Sequence, residues 1–481
     1  MRKVLLYICS VFILGGMTSC EDFLDKREDV GLTEDDIFRD YYSLRGFLDQ
    51  SFNQLENVMV MDNWENGRAF VGLFADEMAT TDNSSAVFTL HSGNWLSNAK
   101  SNTTFEIGNG GSTAISRSYK ALRINNRIIN DIDKAPLTPE QKNEILGQAY
   151  FYRSWFYFQV IKRYGGMPII DKVFEGGDDD IPRMTYHESH DWMMEDIQKA
   201  IYMLPDSWDD PNYGRPTKIA AMALKEWAQL FDASPLMQND LNSTENKGYD
   251  TERAKSAAKS AYEVIRYMDG SKSAPYPYGL ASKEEYTNVF YFKYPPVHQP
   301  EYIWVKRQFP NAANQNQKRT IRTFWQYEDL AFGSGPDGNS MCCPSLNIVN
   351  MFDKKGADGI YYPIDDPRSG YALDYAHKPF EDRDPRFYNN ILLPGTTWGH
   401  YADGRTYYIT TYKGGAAYQH MLTQKDCNKR MFTGFMCKKF MWPECNQYLE
   451  KNNPNCWWAL SLPHHIYPCF ANLFRLCRSP I

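Results

Sequence analysis

Apolar residues recur at helical spacing through the first half of the chain. Met193, Ile197, Ala200, Ile201 and Leu204 fall on one face of a helix, because a 3.6-residue turn brings positions three and four apart together. Thr185 and Glu188 mark its start as the two halves of a capping box, and Pro205 stops it. The same logic predicts a helix over residues 139–164. Thr138 supplies the N-cap hydroxyl, Pro139 occupies the first helical position and Gln141 closes a second capping box. Gly165-Gly166 ends that helix with residues that tolerate positive φ, and Pro168 prevents its resumption. Further helices are predicted at about 34–56, 113–133, 217–233 and 251–268. Paired helices with short turns resemble tetratricopeptide-like hairpins, although the period is irregular and the full repeat signature is absent.

Beyond residue 270 the texture changes to Tyr, Pro, Gly and Asn with few long periodic stretches. The pattern therefore predicts a helical scaffold over about 34–270 and a loop-rich half over about 271–452. Short strands are expected at Tyr302–Gln308 and Thr406–Tyr412, where β-branched and aromatic residues cluster. Long loops on a rigid scaffold are where binding residues concentrate.

The N-terminus specifies an address. Arg2-Lys3 precedes an apolar run from Val4 to Leu14, and small residues lead to Cys20. This is a secretory signal over residues 1–19, too short for a permanent membrane span. Its end resembles a bacterial lipobox, with Met17 in place of the usual Leu, and makes Cys20 the acylated first mature residue. Acylation gives durable attachment because each buried methylene adds about 0.8 kcal/mol. The polar run Glu21-Asp22-Phe23-Leu24-Asp25 follows.

Net charge of −7 and the lack of a Lys/Arg stripe exclude a nucleic-acid footprint and disfavour polyanions. Aromatic residues make up 15% of the chain, including 33 Tyr and 12 Trp, which is more than the core demands. Such rings suit sugars, whose axial C–H faces stack on a flat apolar surface while Tyr and Trp keep a polar edge. A Tyr-rich core is the alternative for any single ring.

Several segments then carry a family resemblance. They are Ser118-Tyr119-Lys120-Ala121-Leu122-Arg123-Ile124-Asn125-Asn126-Arg127, Gly147-Gln148-Ala149-Tyr150-Phe151-Tyr152-Arg153, and Arg163-Tyr164-Gly165-Gly166-Met167-Pro168. Gly214-Arg215-Pro216-Thr217-Lys218, Phe380-Glu381-Asp382-Arg383-Asp384-Pro385-Arg386-Phe387 and Thr433-Gly434-Phe435 complete the set. In this order the chain resembles the SusD/RagB family. The resemblance implies a mainly α fold, with tetratricopeptide-like helix pairs packed against a loop-rich half carrying a few short strands. It also implies a non-catalytic, surface-exposed lipoprotein of the outer membrane. Such a protein captures oligosaccharides and delivers them to a SusC-like TonB-dependent transporter.

The resemblance ends at about Asn452. A family member would continue with further helices. Here residues 453–481 form an irregular, Trp-rich tail holding Cys456, Cys469 and Cys477. That texture suggests a frameshift product, with a divergent terminus as the alternative. Two other functional readings stay open at this point: a surface glycan-degrading enzyme, and a non-functional remnant of a SusD-like protein.

Glycan capture is expected in two regions. The first is 80–100, with Asp82, Asn83, Asn94 and Trp95, following the pair Asp76-Glu77. The second is 311–340, with Arg322, Trp325 and Tyr327. The rings would stack on sugars while Asn and Arg orient hydroxyls. A structural Trp in each loop is the competing reading.

No cofactor and no metal site are predicted. His187 and His190 share a helical face, but one residue separates Glu188 from His190 where the zinc-protease pattern needs two, and a capping role explains Glu188 better. Calcium stays conceivable at Glu381, Asp382 and Asp384. The expectation there is pairing with Arg383 and Arg386 around a turn shaped by Pro385. Cys342-Cys343, Cys437 and Cys445 form no metal or redox spacing.

Overall fold

The computed structural model describes residues 33–55, 76–79, 114–174, 180–238, 248, 250–271, 277–282, 284–286, 299–305, 343–374, 378–400, 406–408, 410, 412–415 and 433–438. Seven main helices build the first half of these: α1 (Glu34–Phe38), α2 (Tyr41–Asn53), α3 (Ala114–Asp131), α4 (Pro139–Tyr164), α5 (Tyr186–Met203), α6 (Lys218–Ala233) and α7 (Thr251–Gly270). The predicted capping boxes form at Thr138 with Gln141 and at Thr185 with Glu188. Gly165 closes α4 at φ 79°, a conformation that suits a residue without Cβ. Gly166 is needed for a different reason: a Cβ there would lie 2.1 Å from the Met184 carbonyl oxygen.

The helix expected at 34–56 is two helices. Asp40 is extended and its side chain accepts from Ser43 N–H at 2.8 Å, which starts a new helix at Tyr41 rather than continuing the old one.

Each helix packs mainly on its neighbours in sequence: α2 on α3, α3 on α4, α4 on α5, α5 on α6 and α6 on α7. The fold is mainly helical, and its hairpins stack as the pattern predicts. Helix α4 is the axis of this stack. Thirteen of its residues between Ile145 and Phe158, together with Gln159, Val160 and Ile161, are buried, which covers every face and marks a helix enclosed by partners. Gly147 lets α5 approach closely, since a Cβ there would meet Met203 Cβ at 3.1 Å.

Trp304 shows how the second half joins this core. The expected strand at 302–308 does not form over residues 301–305, and positions 306–308 lie outside the described residues. Ile303, Trp304 and Val305 are buried instead. The Trp304 ring sits 4.9 Å from that of Phe151 and 5.0 Å from that of Trp155, and its Nε1 donates to the Gly214 carbonyl at 3.0 Å. The apolar cluster that reads as a strand is a plug in a helical core.

Two sets of polar contacts tie the helices of the stack together. Arg153, on α4, makes a two-pronged contact with Asp196, on α5: Nε to Oδ2 at 2.6 Å and Nη2 to Oδ1 at 2.8 Å, with both side chains at most 6% exposed. Its Nη1 donates to Asn126 Oδ1, on α3, at 3.0 Å, and Asn126 Nδ2 donates to the carbonyls of Ile170 and Lys172. Arg215, just before α6, similarly grips Asp49 on α2 at 2.7 and 2.8 Å and reaches Gln148 on α4.

Removing one member of the Arg153–Asp196 pair leaves a buried charge, so Arg153→Met is expected to destabilise the fold by about 3–5 kcal/mol. The double change Arg153→Met with Asp196→Leu should recover a large part of that loss. Urea unfolding of the three proteins measures both effects, and equal stability of Arg153→Met and the unsubstituted chain would contradict the assignment.

Candidate functional site

The second half of the described structure consists of short strands and helices around turns. Strands β1 (Met78–Ala79) and β2 (Cys343–Pro344) pair antiparallel, as do β3 (Lys354–Lys355) with β4 (Tyr361–Tyr362), β5 (Ile391–Leu392) with β8 (Met436–Cys437), and β6 (Thr397–His400) with β7 (Thr406–Tyr408). Strand β7 falls in the segment where the sequence predicts one, though it ends at Tyr408. Helices α8 (Leu346–Asn350), α9 (Tyr371–Asp374) and α10 (Pro385–Asn390) complete this half.

The β1–β2 ladder links the two regions that sequence marks for sugar capture. Ala79 pairs with Cys343. The chain leaves β1 at Ala79 into region 80–100, and it reaches β2 at Cys343 from region 311–340. Two segments far apart in sequence therefore depart from and arrive at the same rung. Ser345 locks the rung: its N–H donates to the Glu77 carbonyl at 3.0 Å and its hydroxyl donates to the Asp76 carbonyl. The same hydroxyl accepts from Ile348 N–H at 3.2 Å and caps α8. Sequence analysis missed this residue, although Pro344-Ser345 ahead of the apolar Leu346, Ile348 and Val349 is a readable helix start.

The far end of α8 is held by Arg383. This side chain is 1% exposed and donates Nη2 to the carbonyls of Val349 and Phe352, both at 2.6 Å, and Nη1 to that of Pro379 at 3.1 Å. The Phe387 ring lies 4.8 Å under the guanidinium. Burial pulls its pKa below the usual guanidinium value.

The expectation that both arginines pair with acids is thus half right. Arg386 pairs with Asp384 at 2.6 Å, whereas Arg383 binds carbonyls. Asp384 also caps α10, and Glu381 pairs with Lys378 at 3.0 Å. Asp382 adopts φ 55°, so the backbone folds back and Lys355 N–H donates to its carbonyl at 2.7 Å. Phe352, Phe380, Phe387 and Phe435 pack beneath this turn with Val349, Ile391 and Leu393. The β1–β2 ladder consequently stands on a rigid base.

The individual residues proposed from sequence, Cys20, Asp82, Asn94, Trp95, Arg322, Trp325 and Tyr327, lie outside the described residues, as does the tail from 453 onward. Among the described residues, Trp155 and Trp304 are core, while Tyr42, Tyr202, Tyr262, Tyr408 and Tyr412 are exposed. Among the described residues, therefore, some rings serve the core and a share of the tyrosines lies on the surface.

His190, Asp191 and Asp232 come close enough together to consider a cation. His187 Nδ1 lies 2.7 Å from Asp232 Oδ1, and His190 Nδ1 lies 3.0 Å from Asp191 Oδ1. Arg253, in the first turn of α7, bonds Asp232 and reaches both oxygens of Asp191 at 3.2 and 3.3 Å. The contact with His190, followed by that with Arg253, holds the Asp191 carboxyl far below the usual range. The guanidinium thus already supplies the positive charge, and the cluster fastens α5, α6 and α7 together.

These features define a mainly helical scaffold joined to a half of short strands and turns. Residues 22–226 match a family described as starch-binding and associating with the outer membrane, and residues 300–460 match the SusD family. A SusD-like protein from Bacteroides fragilis superposes with a TM-score of 0.60 at 20% identity, over 86% of this chain and 71% of that one. A SusD-like carbohydrate-binding protein from the same species superposes with a TM-score of 0.54 at 17% identity, over 84% of this chain and 68% of that one. The SusD-like protein P38 of Formosa agariphila is 28% identical over 102 residues, a stretch covering 21% of this chain and only 20% of that relative. The chain belongs to the SusD/RagB family.

Ser345→Ala removes both the α8 cap and the side-chain bond to Asp76. A loss of about 1 kcal/mol is expected, measured by urea unfolding, and Ser345→Thr should retain most of the cap. Identical stability of the Ala variant and the unsubstituted chain would show that the hydroxyl is not holding the ladder.

Proposed function

We propose that this chain is a non-catalytic, glycan-binding lipoprotein of the cell surface. Acyl chains on Cys20 anchor it to the outer membrane, it captures oligosaccharides, and it delivers them to a SusC-like TonB-dependent transporter. No cofactor takes part. Membership of the SusD/RagB family supports this reading, and so does the match of residues 22–226 to a family described as starch-binding and associating with the outer membrane. Among the described residues no helix is long and apolar enough to cross a membrane.

One observation supports placing the site in regions 80–100 and 311–340: Ala79 and Cys343 share a rung, and the chain leaves that rung into the first region and reaches it from the second. Trp95 and Trp325 stack on sugar faces, and Asp82, Asn94, Arg322 and Tyr327 bond the hydroxyls. Each Trp contributes on the order of 1 kcal/mol or more beyond its area, by analogy with aromatic pairs.

Trp95→Ala and Trp325→Ala should each weaken binding of a panel of oligosaccharides at least tenfold, read by calorimetry, with the thermal melting curve unchanged. The double variant should lose less than the sum of the two single losses in free energy, because one ligand contacts both rings. Unchanged affinity in both single variants would remove this surface from consideration. Cys20→Ser should shift the expressed protein from the membrane to the soluble fraction; retention in the membrane would oppose lipid anchoring through Cys20.

A further inference from the structure

Glu226 sits on α6 in the interior of the helical stack and is 0% exposed. Neither of its carboxyl oxygens has a hydrogen-bond partner. One helical turn away on either side lie Met222, Ala223, Gln229 and Leu230, the neighbours that share a face at this spacing. The Ser260 hydroxyl of α7 donates to Gln229 Oε1 at 2.5 Å.

The charged and titratable groups that neighbouring helices bring to α6 are engaged elsewhere. From α4, Lys162 places its ammonium over the Trp227 ring, 4.5 Å from the centroid, and Arg153 is committed to Asp196. From α5, His187, His190 and Asp191 belong to the cluster at Asp232, Lys199 faces Asp196 and Gln198 faces Lys225. From α7, Arg253 bonds Asp232, and Glu263 lies 3.7 Å from Lys225. None of them donates to Glu226.

An ionised carboxylate with no donor in such a place costs many times more than a neutral acid. We propose that Glu226 is buried as a neutral carboxylic acid, so that the helical scaffold folds with one bound proton and is loosened when alkaline conditions withdraw it. Burial by itself pushes this carboxyl up to about 8.

The direction of the effect follows from linkage. The unfolded chain releases this proton above the ordinary glutamate value of about 4.5, whereas the folded chain keeps it until about 8. Between those values the folded state binds more protons, so its advantage falls as pH rises, by about tenfold in the folding equilibrium per pH unit. Carboxyls held below their usual range, such as Asp191, act in the opposite sense, and their contribution is complete well below this window. They cancel when the chain is compared with a Glu226 variant.

The test is urea unfolding of the full chain, Glu226→Gln and Glu226→Leu at pH 5, 6, 7 and 8. The ratio of each variant's folding constant to that of the unsubstituted chain should climb about tenfold per pH unit and do so alike for both variants. Parallel stability profiles would overturn the proposal, since they would mean that the carboxyl is ionised in the folded protein. Infrared spectra at pH 7 give an independent reading. A protonated-carboxyl band present in the unsubstituted chain and missing from Glu226→Gln supports the bound proton, and identical spectra in that region refute it.

Discussion

The guanidinium of Arg153 is the group around which the scaffold is organised. A charge this deeply buried is tolerated only when it is paired and each of its nitrogens finds an acceptor in good geometry. Arg153 meets that condition by taking Asp196 from α5 and Asn126 from α3, and Asn126 in turn takes two carbonyls of the segment leaving α4. Three helices and a connection are thereby fixed by one side chain. Apolar packing alone would allow adjacent helices to slide by small amounts, because Leu, Ile and Phe contacts are not directional. The ion pair specifies one arrangement, and the stacks of Arg153 on Tyr150 and Trp192 fix its own plane.

The loop-rich half uses the same device with a different set of acceptors. Its apolar cluster is small, so turns cannot be held by burial alone. Arg383 compensates by collecting carbonyls from the end of α8 and from the preceding loop. A cation is favoured there because the last carbonyls of a helix lack partners and carry partial negative charge. Asp384 and Arg386, two residues apart, then shape the start of α10.

The local chemistry of each element was legible in sequence where cause and effect lie within four residues. Thr138 with Gln141 and Thr185 with Glu188 announce their helices, and Gly165-Gly166 with Pro168 announces a stop. Asp40 is equally local, but the apolar pattern runs straight through it. What the pattern could not disclose is contact at a distance. Arg153 and Asp196 are separated by a whole hairpin, and nothing about either residue names the other. Trp304 reads as part of a strand because burial between helices and burial in a sheet select the same residue types. Arg383 next to three acids invites a salt bridge, yet the turn points it at carbonyls. The candidate capture residues were chosen by ring chemistry and family resemblance, and the pairing of Ala79 with Cys343 is the fact that sequence withheld.

That pairing has a physical dependence of its own. A ladder of two residues on each side cannot sustain itself, since isolated two-stranded structures are marginal even when longer. Its register must come from what is attached to it. Ser345 ties β1 to the start of α8, Arg383 ties the end of α8 to the 379–383 turn, and β8 lies beside β2 while pairing with β5. The β1–β2 rung therefore rests on a chain of polar contacts that runs from Ser345 through α8 and ends at a buried guanidinium.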